Sequence, residues 1–141
     1  MAGALISDVV RDMGEIDSAM IIMQTASGKQ CCINNYREAS YGYDQRIEAM
    51  GEHGMLKAEN RRSTTLERWD KERTQQLDPI LYFFIERYQH AYNAEIDDFI
   101  DAVKDDKPVP VGFEDGRRAL IIANAAYESL ETGRIVDIKY D

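Results

Sequence analysis

The residues read as an α+β domain: a mainly antiparallel open sheet with two long helices packed on one face. Two observations carry this. Between residues 18 and 69 apolar side chains recur mostly with period two, broken by glycine turns, as strands do. From Asp78-Pro79 the period lengthens to that of amphipathic helices, and it returns to alternation only after Gly133. Strands followed by helices argue α+β rather than alternating α/β.

Taken in order, Met1 to Asp17 is weakly patterned, and Ala4 to Val10 reads as a frayed strand. So abrupt a start suggests truncation. Ser18 to Thr25 is dense in apolar residues (Ala19, Met20, Ile21, Ile22, Met23) and suits a strand apolar on both faces. Ala26-Ser27-Gly28 turns the chain and Lys29 to Tyr36 returns, which makes a hairpin. Tyr43 to Met50 alternates, Gly51-Glu52-His53-Gly54 turns again, and Met55 to Glu59 leads away. Ser63 to Trp69, rich in Thr, reads as a further strand. Four or five antiparallel strands result.

Asp78 then supplies an N-cap and Pro79 a first helical residue. The stripe Phe84, Tyr88, Tyr92, Phe99 and Val103, with Leu81, Ile85 and Ile96, predicts a helix to about Lys104. Lys107-Pro108-Val109-Pro110 is a stiff linker. A second helix runs from about Glu114 to Glu131, its acidic start suiting the dipole and Gly133 its C-cap. Its stripe is Leu120, Ala123, Tyr127 and Leu130, with Ala119, Ile122 and Ala126 beside it. Arg134 to Tyr140 alternates as a last strand. Residues 1–141 fit one domain with its own core. An apolar open sheet face calls for a second subunit or domain upon it.

Composition excludes several functions. With 26 Asp and Glu against 17 Lys and Arg, the chain carries a net charge of −9. A phosphate backbone or an anionic membrane surface would be repelled. No apolar run approaches the roughly 20 residues that span a bilayer, and Met1 to Ile6 lacks the charge and length of a signal peptide. The adjacent Cys31 and Cys32 would point to opposite sheet faces and stay unpaired, which fits a reducing cytoplasm.

The candidate chemistry is sparse. His53 sits in a turn and His90 away from the helix stripe, and both read as solvated. Neither His-x-x-x-His nor Cys-x-x-Cys occurs, so there is no transition-metal signal. Glu95, Asp97, Asp98 and Asp101 read as a solvated helix face. Gly112-Phe113-Glu114-Asp115-Gly116 is a helix start rather than a phosphate loop, because acids stand where phosphates would sit. That leaves the tyrosines. Tyr41, Tyr43 and Tyr92 carry phenols that can line a pocket and hydrogen-bond a polyol, whereas Tyr88 reads as core packing.

An ordered series of motifs resembles a known family. It comprises Gly14-Glu15-Ile16-Asp17-Ser18-Ala19, Thr25-Ala26-Ser27-Gly28, Ile33-Asn34-Asn35, Tyr41-Gly42-Tyr43-Asp44-Gln45-Arg46-Ile47-Glu48 and Gly51-Glu52-His53-Gly54-Met55-Leu56. Glu86-Arg87-Tyr88 with Ala91-Tyr92, and Glu114-Asp115-Gly116-Arg117-Arg118-Ala119-Leu120, complete it. Together they resemble the C-terminal domain of the Gfo/Idh/MocA oxidoreductases. The resemblance implies a two-domain enzyme that transfers hydride between a hydroxyl-bearing carbon of a sugar or cyclitol such as inositol and NAD(P), bound by an N-terminal Rossmann domain. It implies that Tyr43 and Tyr92 line the substrate pocket, with Tyr41 as a neighbour, and that the open sheet serves homo-oligomer contacts. The family's Gly-x-Gly-x-x-Gly, Glu-Lys-Pro and Asp-x-x-x-His motifs are missing from these 141 residues. No catalytic residue, cofactor-binding residue or metal ligand is therefore expected in the chain, and alone it should be inactive. The alternative is a stand-alone module that dimerises through its sheet, with the tyrosines as core.

Overall fold

The computed structural model describes residues 2–4 and 7–140. Among these, the elements run β1 (Ala2–Ala4), α1 (Asp8–Asp12), β2 (Ser18–Gln24), β3 (Gln30–Tyr36), β4 (Ile47–Gly51), β5 (Gly54–Ala58), β6 (Glu67–Arg68), β7 (Gln76–Leu77), α2 (Phe84–Lys104) and α3 (Phe113–Thr132). The chain divides into two compact units, Met1–Glu38 with Val109–Asp141, and Ala39–Pro108.

In the first unit β1, β2 and β3 form one antiparallel sheet in that order. The β2–β3 hairpin closes with Gly28 N–H donating to the Thr25 carbonyl at 2.9 Å and Thr25 N–H donating to Lys29 O at 2.9 Å. The Thr25 hydroxyl also accepts from Lys29 N–H at 3.1 Å. Gly28 has a φ of +85°, the left-handed conformation this tight return requires. The register pairs Ile21 with Ile33 and Ile22 with Cys32. Ala19, Ile21 and Met23 thus share one face and are half-buried, whereas Met20, Ile22 and Tyr36 on the other face are exposed. The sheet presents one covered and one open apolar face. Cys31 and Cys32 fall on opposite faces with free, exposed thiols.

Helix α3 runs beside β1. It buries Ala126 and Ser129, with Ile122 and Leu130 half-buried. The expected stripe is therefore displaced: Leu120, Ala123 and Tyr127 are exposed. Small residues let the helix approach its neighbour closely, so Ala126 and Ser129 turn inward and the bulkier Tyr127 does not. The helix ends at Gly133 as expected, with φ +66° and its N–H donating to Ser129 O at 2.9 Å.

Two other sequence expectations fail here. Asp8–Asp12 is a short helix rather than part of a frayed strand, while residues 5 and 6 of that segment lie outside the described residues. Nor is 134–140 a strand. The segment is held by side chains instead: the Ser129 hydroxyl donates to Arg134 O at 2.7 Å, Arg117 Nη2 donates to Tyr140 O at 2.5 Å, and Arg118 lies over the Tyr140 ring. Without a neighbouring backbone to pair with, alternation alone does not make a strand.

The second unit contains the β4–β5 hairpin, the short β6–β7 pair and α2. The Glu52-His53 turn joins β4 to β5 as expected, with Gly51 opposite Gly54. β4 starts at Ile47 rather than Tyr43, because Gln45 N–H donates to the Asn60 side chain at 2.8 Å and Tyr43 N–H to the Leu81 carbonyl at 3.0 Å. The strand expected over 63–69 shrinks to Glu67–Arg68 opposite Gln76–Leu77. Helix α2 begins at Phe84 and not at Pro79, since the preceding backbone is already engaged: Ile80 bridges Arg62, and Leu81 bonds Arg61 on one side and Tyr43 on the other. Asp78 is no N-cap; its carboxylate accepts from the Thr64 hydroxyl and its carbonyl from Arg62. Among the described residues the expected single meander is thus three separate antiparallel sheets, while the α+β character stands.

Candidate functional site

The Tyr41-Gly42-Tyr43 stretch lies against Ile80 and Leu81. Gly42 has a φ of +130°, and a Cβ there would fall 2.5 Å from Ile80 Cγ1. Only glycine combines that backbone with that approach. The close seating of residue 42 sets Tyr41 and Tyr43 in two distinct environments.

Tyr41 belongs to a polar clasp. Its hydroxyl donates to Asp44 Oδ2 at 2.5 Å. Arg46 donates to both carboxylate oxygens at 2.8 Å, and Asn60 Nδ2 donates to Oδ1 at 2.6 Å. The Asp44 side chain is only 14% exposed. The guanidinium of Arg46, then the Tyr41 hydroxyl and Asn60, hold the Asp44 carboxyl down at about 2. The same bond to Asp44 raises the Tyr41 pKa. These groups line a pocket of about 560 Å³ with Leu77 and Ile80. Its carboxylate already accepts four donor contacts, so the clasp is better suited to fixing the chain than to receiving a ligand.

Tyr43 belongs to an aromatic ladder. Its ring meets Tyr88 edge-on, with centroids 5.5 Å apart and planes at 81°. Tyr88 meets Tyr92 in turn at 6.0 Å and 64°. Phe84 flanks Tyr43 at 6.5 Å. Tyr43 and Tyr92 are 37% and 42% exposed. Tyr88 is half-buried, and burial followed by the neighbouring Tyr43 phenol raises its pKa. Arg87 places its guanidinium carbon 5.5 Å from the centre of the Tyr88 ring.

Of the three tyrosines singled out in the sequence, Tyr43 and Tyr92 are thus linked through Tyr88, and Tyr41 lies apart in the clasp. Sequence reasoning missed Tyr88 as the link, although its four-residue spacing from Tyr92 places the two on one helix face. It also missed the long-range partnership of Asp44 with Asn60. His53 and His90 are both exposed.

The start of α3 does not fit the phosphates of a dinucleotide. The glycine-flanked start of α3 is the nearest thing to a phosphate cradle, and there Gly112 N–H donates to the Asp115 carboxylate at 2.8 Å. A carboxylate of the chain itself occupies the place a pyrophosphate would take. Among the described residues no helix is long and apolar enough to cross a membrane.

These features define an α+β domain with a partly exposed row of tyrosines. Comparison with known proteins sharpens this. Residues 6–138 match the model of the oxidoreductase family, C-terminal alpha/beta domain, and the chain belongs to that Gfo/Idh/MocA C-terminal family. It is 40% identical to the myo-inositol 2-dehydrogenase of Thermotoga maritima over 135 residues, which is 96% of this chain and 40% of that protein. A myo-inositol dehydrogenase structure from Corynebacterium glutamicum superposes with a TM-score of 0.93 at 42% identity, covering 98% of this chain and 42% of the other. The myo-inositol dehydrogenase of Lactobacillus casei, solved in complex with NAD(H) and myo-inositol, gives 0.77 at 29% identity, covering 99% and 41%. The chain therefore spans about 40% of the length of the curated relatives it matches.

Proposed function

We propose that residues 1–141 act as one substrate-side and oligomerisation domain of an NAD-dependent dehydrogenase for myo-inositol or a related sugar or polyol. Tyr43 and Tyr92 line the substrate site, and Tyr41 supports it from the neighbouring clasp. The observation that carries this reading is the Tyr43–Tyr88–Tyr92 ladder in a domain of the inositol dehydrogenase type. Phenols orient a polyol by hydrogen bonding and apolar contact, and none of them can accept a hydride. The family resemblance assigns base, acid and cofactor to the portion of the relatives that this chain does not match, so on this reading the chain alone is inactive. The free, exposed thiols of Cys31 and Cys32 suit a reducing cytoplasm.

The test has two arms. The chain is mixed with myo-inositol and NAD and followed by NADH absorbance, where turnover above background overturns the assignment of the chemistry to that unmatched portion. Saturation-transfer NMR then measures myo-inositol binding to the same chain. Binding that weakens in Tyr43→Phe and Tyr92→Phe supports the site, and no binding refutes it.

A second reading has its own observation. The exposed face bearing Met20, Ile22 and Tyr36 suits a homo-oligomer contact. A stand-alone dimerisation module would show the association without any response to polyols.

A further inference from the structure

Residues 135–140 have the chemistry of a strand without its bonds. Ile135, Val136, Ile138 and Tyr140 are β-branched or aromatic, and no proline or glycine interrupts them. Their burial alternates as a strand's does: Val136 and Ile138 are half-buried, while Asp137, Lys139 and Ile135 are exposed, Ile135 to 97%. Helix α3 pins the two ends, at the Arg134 carbonyl through Ser129 and at the Tyr140 carbonyl through Arg117. Between these pins no backbone N–H or C=O of residues 135–139 has a hydrogen-bond partner among the described residues. A row of unpaired backbone groups of this kind is a template for a strand of another chain.

The charges select the partner. Antiparallel pairing with a second copy, centred on Ile138, sets Ile138 against Ile138, Asp137 against Lys139 and Val136 against Tyr140. Two-fold symmetry makes each unlike pair occur twice. Opposite charges then face each other, and an aromatic ring faces a β-branched side chain, both favourable cross-strand pairs. Moving the centre to residue 137 or 139 would set Asp137 against Asp137 or Lys139 against Lys139, and like charges directly opposite are destabilising. Half-step registers would set Ile138 against Asp137 or Lys139 and mix the two faces. In the Ile138-centred register Val136, Ile138 and Tyr140 of both copies share one apolar face, and Asp137 and Lys139 share the other. A lysine on an open edge discourages unselective pairing; Asp137, two residues away, offsets it for a copy of the same chain.

We propose that residues 136–140 are an edge-strand interaction site whose partner is the same segment of a second copy, paired antiparallel about Ile138. The contact is separate from the sheet face bearing Met20, Ile22 and Tyr36, and it does not depend on the polyol reading. A two-stranded ribbon is weak by itself, so the pairing is read at high protein concentration and not at the concentrations of light scattering.

Amide hydrogen exchange of the 141-residue chain, measured at low and high concentration, tests this. In the wild type and in Ile22→Lys, which disables the sheet face, exchange over 136–140 should slow by about tenfold as the paired population rises, while the β2–β3 amides stay unchanged. Asp137→Lys sets Lys against Lys in the pair, and Lys139→Asp sets Asp against Asp, so each alone should lose that protection. An equimolar mixture of these two variants should regain it, because each copy supplies the charge the other lacks. Thermal melting checks folding; where a swapped variant is unfolded, the concentration dependence in the wild type and Ile22→Lys decides. Fast exchange at every concentration, or protection that does not change with concentration, overturns the proposal. Protection that vanishes in folded Ile22→Lys belongs to the sheet face and overturns it too. So does protection that survives both single swaps, or a mixture that fails to regain it.

Discussion

Replacing Gly42 by alanine tests how the phenols are set in place. Two costs combine at this position. A φ of +130° lies outside the regions an L-residue adopts, and strain of this kind is worth about 1–3 kcal/mol. The new Cβ would also stand 2.5 Å from Ile80 Cγ1 and 3.1 Å from Cδ1, and Ile80 is one of the buried apolar residues. Overpacking of a buried site typically adds about 1–3 kcal/mol. Ile80 cannot retreat freely, because its own backbone bridges Arg62. We therefore expect Gly42→Ala to cost about 3–4 kcal/mol, toward the middle of the combined range. Gly28→Ala is the control: its φ is +85°, but nothing lies within 4 Å of the added methyl, so only the backbone cost of about 1–2 kcal/mol applies. Urea denaturation of the three proteins, compared at a common slope, gives both values. A Gly42→Ala loss no larger than that of Gly28→Ala would refute the close-approach argument.

Three further outcomes are expected. Asp44, held at about 2 against a usual value near 3.9, contributes about 2 kcal/mol after discounting for its residual exposure; because its folded-state pKa lies below the unfolded one, that contribution is full above about pH 4 and lost as pH falls toward 2, and denaturation midpoints across this window should flatten in Asp44→Asn. Asp115→Ala leaves Gly112 N–H without its carboxylate partner and should cost about 1 kcal/mol, read as a lower Tm. Ile22→Lys, at a side chain 76% exposed, should abolish association in light scattering while leaving the melting temperature of the chain itself nearly unchanged; a wild type that is already monomeric refutes association through the sheet.

The parts legible in the sequence were those governed by local chemistry. The β2–β3 turn follows from Gly28, the β4–β5 turn from Gly54, and the close of α3 from Gly133, each a glycine with positive φ. What misled was any signal whose outcome depends on a distant partner. Asp78-Pro79 has the chemistry of a helix start, but Leu81 is committed to Arg61 and Tyr43, so the helix waits until Phe84. Residues 134–140 alternate as a strand should, yet side chains of α3 capture them before any backbone does.

The same distinction bears on the site. Tyr41 and Tyr43 look equivalent in sequence, two phenols flanking one glycine. Asp44 breaks that equivalence by drawing the Tyr41 hydroxyl into a carboxylate already bonded to Arg46 and Asn60. A phenol whose donor is spent within the protein can offer a ligand only its acceptor side, whereas Tyr43 and Tyr92 remain partly open along a ladder braced by Tyr88. Hydrogen-bond accounting separates the two tyrosines more sharply than exposure does, since Tyr41 at 62% is the more exposed of the flanking pair. If Tyr41 supports the proposed polyol site only from its edge, removing the clasp acceptor with Asp44→Asn should alter Tyr41 and weaken myo-inositol binding far less than Tyr43→Phe does. A matched loss of myo-inositol binding in folded Asp44→Asn would show instead that clasp and ladder act as one site.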